Sequence, residues 1–397
     1  MAVTEPVRST TPPRTSIFND PQFRGIAYQV LVGILVVLFV GWIVHNTATN
    51  LVAQNKTTGF DFLFKTAGFN VSFSLFPFGR ASFYWQAFLV GLTNTLLVAV
   101  IGIFFATILG FTLGIARLSS NWIIARLATI YVETIRNIPL LLQLFFWYFA
   151  VLKTMPAVKQ SHVFWGDIVL NQRGLFLPLP MSDEKFVWVI AAFVIAVIFA
   201  LMLRVWARRR LEATGKRFPV VLAAMAAMVL FPALIWLVSG ASLEFDMPVL
   251  KGFNYVGGIE LPPELVGLVF GLSIYTAAFI GEIVRAGIQS VSYGQTEAAQ
   301  SLGLREGDRL RLVVIPQAMR VIIPPLTSQY LNLTKNSSLG AAIGFPELVN
   351  VFTGTTLNQT GRAIEVIVLT MAVYLVLSLT TSAIMNWYNA RVALVER

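Results

Sequence analysis

Gly294-Gln-Thr-Glu297-Ala298-Ala299-Gln-Ser-Leu-Gly303-Leu304-Arg305-Glu306-Gly307-Asp308, continuing to Val313-Val-Ile315-Pro316, is a polar passage held between two apolar stretches. Gln295 or Thr296 can open a short helix there, and Gly303 can close it in the left-handed conformation. The helix runs to three turns at most, roughly 13 Å. Ala298 and Ala299 leave one face nearly bare of side chain, and Glu297 offers a charge for docking. A second amphipathic stretch, Arg305 to Arg311 with Asp308 inside it, leads back into apolar sequence. A short exposed helix with a charged rim suits a partner's groove. The flanking runs, 263–286 and 316–340, are each long enough to cross a bilayer, which takes roughly 20 apolar residues. The passage therefore reads as a loop joining two membrane spans.

Composition extends that reading to the whole chain. Of 397 residues, 56% are hydrophobic and 12% charged, against about a quarter charged in soluble domains. Eight spans are expected, near 26–46, 87–116, 122–152, 186–206, 218–239, 263–286, 316–340 and 364–388. The first follows 25 polar residues and lacks a small-residue cleavage site, so it reads as an anchor. With no cysteine, disulfides and thiolate metal sites are excluded. His45 and His162 stand far apart, without carboxylates at ligand spacing.

The charge map sets the orientation, because basic residues stay preferentially in the cytoplasm. With the N-terminus inside, 17 of the 29 basic residues fall on inner segments. They include Arg117 and Arg126, the run Arg204, Arg208, Arg209, Arg210, Lys216 and Arg217, and the loop's Arg305, Arg309 and Arg311. The nine on outer segments face about ten carboxylates there. Nearly all of the net charge of +10 thus lies at the inner surface. It is a topology signal, and a nucleic-acid partner is excluded.

Pro139 interrupts the third span, and Pro316, Pro324 and Pro325 the seventh. Each removes an amide donor and kinks its helix. Gly110 with Gly114, and Gly267 with Gly271, form small-xxx-small pairs that let helices approach closely.

The spacing of Glu297-Ala298-Ala299, Gly303 and Val313-x-Ile315-Pro316 resembles the signature loop of permeases in binding-protein-dependent ATP-binding-cassette importers. Three further stretches resemble the polar and general L-amino-acid branch of that family. They are Gly91-Leu-Thr93-Asn94-Thr95-Leu96, Tyr131-Val-Glu133-Thr-Ile-Arg136-Asn137-Ile-Pro139 running on to Gln143, and Ala277-Ala-Phe-Ile-Gly-Glu282-Ile-Val-Arg285-Ala-Gly287. Lys335-Asn-Ser-Ser-Leu also fits. The resemblance implies an all-α polytopic protein with a five-helix permease core. It also implies that the loop at Glu297, Ala298, Ala299, Gly303, Arg305 and Asp308 is a coupling helix seated in an ATPase subunit. ATP and magnesium would be bound by a dimer of that partner, with no cofactor in this chain. A periplasmic amino-acid-binding protein would deliver the L-amino acid, and a second homologous permease would complete the pathway as a heterodimer.

The expected division is a cytoplasmic tail (1–25), an extra first span with an outer segment (26–85) and the first part of the core (86–155). Inserted outer segments with a hairpin of spans (156–260) follow, then the second part of the core (261–390, its loop at 294–316) and a cytoplasmic tail (391–397). One extra span and one hairpin leave the loop inside, in a bacterial inner membrane with both termini cytoplasmic.

Ionisable groups within spans are costly and point to function. Glu133 is expected close to mid-bilayer, paired at i,i+3 with Arg136 on one helix face. Glu282 and Arg285 repeat the spacing, and Lys335 with Asn336 lies in the outer half of a proline-kinked span. All six are candidates for the substrate pathway, with internal ion pairing and snorkelling as the alternative roles. No Gly-x-x-x-x-Gly-Lys-Ser/Thr cradle occurs: Gly215-Lys216 is followed by Arg217 and preceded by Arg210 where the first glycine belongs. Nor is there a nucleophile elbow, a zinc motif or a dinucleotide fingerprint, so the chain reads as non-enzymatic. An ion-coupled secondary amino-acid transporter is the alternative that the intramembrane charges leave open.

Overall fold

The computed structural model describes residues 21–53, 59–182, 185–215, 218–240 and 243–392. Most of the expected N-terminal tail, most of the C-terminal tail, and Lys216 with Arg217 lie outside the described residues.

Helix α1 (Pro21–Ala53) is a lone apolar span with none of its spanning window buried. A loop from Gly59 then leads into α2 (Tyr84–Ala116). Asn121 caps α3 (Trp122–Asn137), its Oδ1 accepting the amide of Ile123 at 3.0 Å. The chain then turns by 107° at Ile138–Pro139 into α4 (Leu140–Phe145) and a π-helical stretch to Leu152. The third expected span is therefore a broken one. Pro139 has no amide proton for the carbonyl of Ile135, and the buried Gln143 replaces it. Its Nε2 donates to Ile135 O at 2.8 Å and Ile138 O at 2.9 Å. Freed backbone groups inside a membrane need such a partner.

Next comes a layer that the sequence reading did not anticipate. Strands β1 (His162–Phe164), β2 (Ile168–Asn171), β3 (Gly174–Leu177) and β4 (Leu179–Ser182) lead into α5 (Phe186–Thr214) and α6 (Val220–Ser239). After that hairpin come β5 (Leu243–Asp246), β6 (Val249–Lys251), β7 (Asn254–Val256) and β8 (Ile259–Leu261). All ladders are antiparallel: a four-stranded sheet ordered β1-β2-β3-β8, and the pairs β4–β5 and β6–β7. The strands β3–β4 and β5–β8 thus form a ribbon with α5–α6 at one end and α7 (Pro263–Gln289) at the other. The helical class stands for the membrane body, with this strand layer added on one side.

The core is α2 packed along α7, with α10 (Ile315–Asn336) against both and α12 (Ala363–Val392) against α10. A β-carbon on Gly110 would lie 2.5 Å from Ile280, and one on Gly114 2.6 Å from Val284. The small-residue pair therefore sets how closely α2 and α7 approach. After α7 come α8 (Tyr293–Ser301), α9 (Glu306–Arg309), a π-helical turn at Leu310–Val314 and α10 (Ile315–Asn336). The chain continues as a 3-10 segment to Ile343, turns at Gly344, and returns through the π-helical Val349–Thr356 and α11 (Leu357–Thr360) to α12 (Ala363–Val392). Pro316 stands at the start of α10 rather than interrupting it, whereas Pro324 and Pro325 lie inside.

Candidate functional site

The loop between α7 and α10 holds α8. The helix opens after Ser292, a turn before the Gln295 or Thr296 start expected from sequence, because the extended backbone at Ser292 already leads into helical geometry. It closes at Gly303, whose φ is +71°. Gly303 N donates to Gln300 O at 2.8 Å and Leu304 N to Ala299 O at 3.2 Å. That pair of bonds is the Schellman closure, which suits glycine at the left-handed position. Successive helix residues point 100° apart, so the two alanines part company. Ala299 is buried, where α8 packs on the π-helical turn, and only Ala298 belongs to the bare outer face. Exposed with it are Glu297, Tyr293 (72%) and Leu302 (80%), the latter two large apolar groups that the sequence reading passed over. Arg305 opens α9 and is exposed, as is Asp308, which has no ion-pair partner among the described residues. Gln317 Nε2 donates to Gln295 Oε1 at 3.3 Å, tying α8 to the first turn of α10.

Four of the six intramembrane candidates converge, in an arrangement that differs from i,i+3 pairing on α3. Glu133 and Arg136 form no ion pair with each other. Glu133 turns to Arg117, at the C-terminal end of α2, with Nη2 to Oε1 at 3.3 Å. Arg117 also donates to Glu282, and Arg285 reaches the same carboxylate at 2.5 Å. Arg136 Nη1 lies 3.9 Å from Glu282 and its guanidinium sits 5.3 Å over the Phe279 ring. Three arginines from three helices thus surround Glu282, and Arg117 is the most buried of them. Glu133 lies level with the end of α2 and not half way along it, because α3 packs on α7 beside that end and brings Glu133 to Arg117. In sequence Arg117 reads only as a topology charge.

Lys335 and Asn336 stand apart from this cluster, at the end of α10. Lys335 is exposed, and with Ser328 and Asn332 it makes a polar face at i, i+4 and i+7 on a spanning helix. Lys335, Ser338, Thr353, Thr370 and Tyr374 line a cavity of about 480 Å³. Beneath it the returning segment is pinned to α2. Asn94 Nδ2 donates to Pro346 O at 2.8 Å, and Thr95 Oγ1 accepts Leu348 N at 3.1 Å. Glu347, fully buried, accepts the amides of Val349 and Asn350 at 2.8 and 2.7 Å and the Tyr374 hydroxyl at 3.1 Å. Its signal was local: a carboxylate just ahead of a helical run is a capping residue.

These features define a class: a polytopic membrane protein with a short exposed helix, α8, joined by a hydrogen bond to the start of a spanning helix. Residues 192–394 match the family model described as the binding-protein-dependent transport system inner membrane component. The chain belongs to that family, the permeases of ATP-binding-cassette importers. It is 52% identical to the general L-amino acid transport system permease protein AapQ of Rhizobium johnstonii, over 99% of this chain and 98% of that one. The putative amino-acid ABC transporter permease protein YhdX of Escherichia coli is 50% identical, over 96% and 97% of the two chains. The glutamate/glutamine/aspartate/asparagine permease BztB of Rhodobacter capsulatus is 38% identical over 96% of each. Among solved structures, an amino acid ABC transporter crystallised with histidines aligns at 22% identity and a TM-score of 0.46, covering 78% of this chain and 95% of that one. As a permease the chain is a multi-pass inner-membrane subunit without catalysis of its own, and it works with a separate ATPase and a solute-binding protein. Nothing in these relationships supports the ion-coupled alternative.

Proposed function

We propose that this chain conducts L-amino acids from periplasm to cytoplasm as one of two permeases in such an importer. The observation that carries the reading is its end-to-end similarity to amino-acid permeases, at 52% identity with the first of them. Tyr293, Glu297, Ala298 and Leu302 enter the ATPase cleft, while Gly303 fixes where the helix ends and Arg305 and Asp308 form its charged rim. The partner ATPase dimer binds ATP and magnesium. Glu282, with Arg117, Arg136, Arg285 and Glu133, is the latch that holds α2, α3 and α7 together on the coupling side. A polar face cannot rest against hydrocarbon without cost, so Ser328, Asn332 and Lys335 line the pathway, with Asn336 beside them. Lys335 attracts the substrate carboxylate. The long insertion favours a heterodimer with a related permease lacking it, and both termini lie in the cytoplasm.

Uptake of a panel of amino acids into proteoliposomes, with the ATPase and binding protein present, tests the proposal. Accumulation that needs internal ATP and ignores imposed ion gradients is the expected result. Uptake driven by a proton or sodium gradient without ATP would refute it. Lys335→Gln is expected to raise the half-saturating load of the binding protein several-fold, with the ATPase still docked.

A further inference from the structure

The α5–α6 hairpin takes no part in the site above. Its helices pack on each other through Ala192, Ala196, Ala200 and Ala207 of α5 and Ala227 of α6, and have no extensive contact with another spanning helix. α5 starts from the strand layer and α6 returns to it, as α7 starts from it and runs to the coupling loop, so the hairpin's tip lies on the side of that loop. Near that tip the two helices line an apolar cavity of about 680 Å³. Its walls include Leu201, Ala224, Met225 and Met228, and Arg204 and Arg208 stand among its lining residues.

Depth decides what such a cavity meets. From Phe186, at 1.5 Å per residue, Arg204 lies about 27 Å along α5 and Arg208 about 33 Å. The hydrocarbon core is about 30 Å thick, so the two guanidiniums bracket its edge while the apolar walls remain inside it. Arg204 has no carboxylate partner among the described residues, and Arg208 has only the exposed Glu212, one turn on, at 3.2 Å. Arg210 stacks over the rings of Trp206 and Phe218 at 5.2 and 5.9 Å, Phe218 being a wall of the same cavity. Two forked donors at headgroup level above a greasy cleft match a phosphate joined to an acyl chain.

We propose that this cavity is a binding site for an anionic phospholipid of the inner leaflet. Arg204 and Arg208 hold the headgroup phosphate, and one acyl chain lies between α5 and α6. A free phosphate ion would satisfy the arginines and leave the apolar walls unfilled, so the occupant is a lipid.

The test uses the full importer complex, reconstituted in nanodiscs of phosphatidylethanolamine with cardiolipin, returned to detergent and weighed by native mass spectrometry. Wild type is expected to retain cardiolipin in preference to phosphatidylethanolamine. R204Q/R208Q is expected to lose about a hundredfold or more in that retention, the loss of two charge-assisted hydrogen bonds to the phosphate. R209Q/R391Q removes the same charge from the same side and is expected to keep it. Ala224→Trp fills the cleft, leaves every arginine in place, and is expected to lose it too, which keeps the test open should the double variant fold poorly. Equal loss in both arginine pairs would reduce the effect to diffuse surface charge and overturn the site. So would full retention in Ala224→Trp, or displacement of the lipid by inorganic phosphate alone.

Discussion

Glu282 carries more than its place near the end of α7 suggests. Arginines from α2, α3 and α7 meet on one carboxylate, and replacing it by glutamine leaves three guanidiniums around a neutral amide, with Glu133 the remaining carboxylate beside Arg117. Breaking a buried ion pair from one side costs about 3–5 kcal/mol. For the partly exposed Glu282 the lower end of that scale is the reasonable expectation. Glu282→Gln should therefore lower the melting temperature of the purified complex markedly, which differential scanning fluorimetry reads directly. Glu133, with 55% of its side chain exposed and Arg117 as its ion-pair partner, sits differently. Exposed pairs contribute about 0–1 kcal/mol, so Glu133→Gln should melt close to wild type and lower the transport rate. A normal rate would reduce Glu133 to packing. The i,i+3 spacing of Glu133 and Arg136 was legible in sequence, but their partners were not. Spacing along one helix says nothing about Arg117, which arrives from another.

At the level of elements, the α8 loop was legible because its information is local. Gly303 ends the helix by its own backbone preference, and no neighbour has to be known. A β-branched residue at φ +71° is strained by about 1–3 kcal/mol, whereas asparagine tolerates that region. Gly303→Val is thus expected to abolish ATP-dependent uptake and weaken co-purification of the ATPase, while Gly303→Asn retains both. The broken third span was legible at Pro139 and silent about Gln143, since the same residue in an unbroken helix would only point at a neighbour. Gln143→Leu leaves the Ile135 carbonyl without its donor in a buried setting, at a cost of about 1–3 kcal/mol, visible as a lower melting temperature. The strands were hidden for a different reason. Each is three or four residues long, and alternation over so few positions cannot be told from chance.

For the whole molecule, the apolar runs made the spans readable and the basic residues made their direction an expectation. A chain without cysteine lets that direction be measured with no background. A cysteine placed at Trp165, in the turn between β1 and β2, should react with an impermeant maleimide added outside intact cells. One placed at Gly307, exposed in the loop beyond α8, should react only after the membrane is opened. The reverse pattern would invert the topology and remove the coupling loop from the ATPase.

The adjacent prolines of α10 bear on how force travels through this body. They fall near the middle of a helix whose first turn is tied to α8 and whose far end runs into the segment pinned by Thr95 and Glu347. Two successive amide donors are missing there, so bending stiffness drops at one short stretch while both ends stay firm. Such a beam is compliant at a single flexure. A displacement applied at Pro316 reaches Lys335 mainly as a change of slope, with little axial travel.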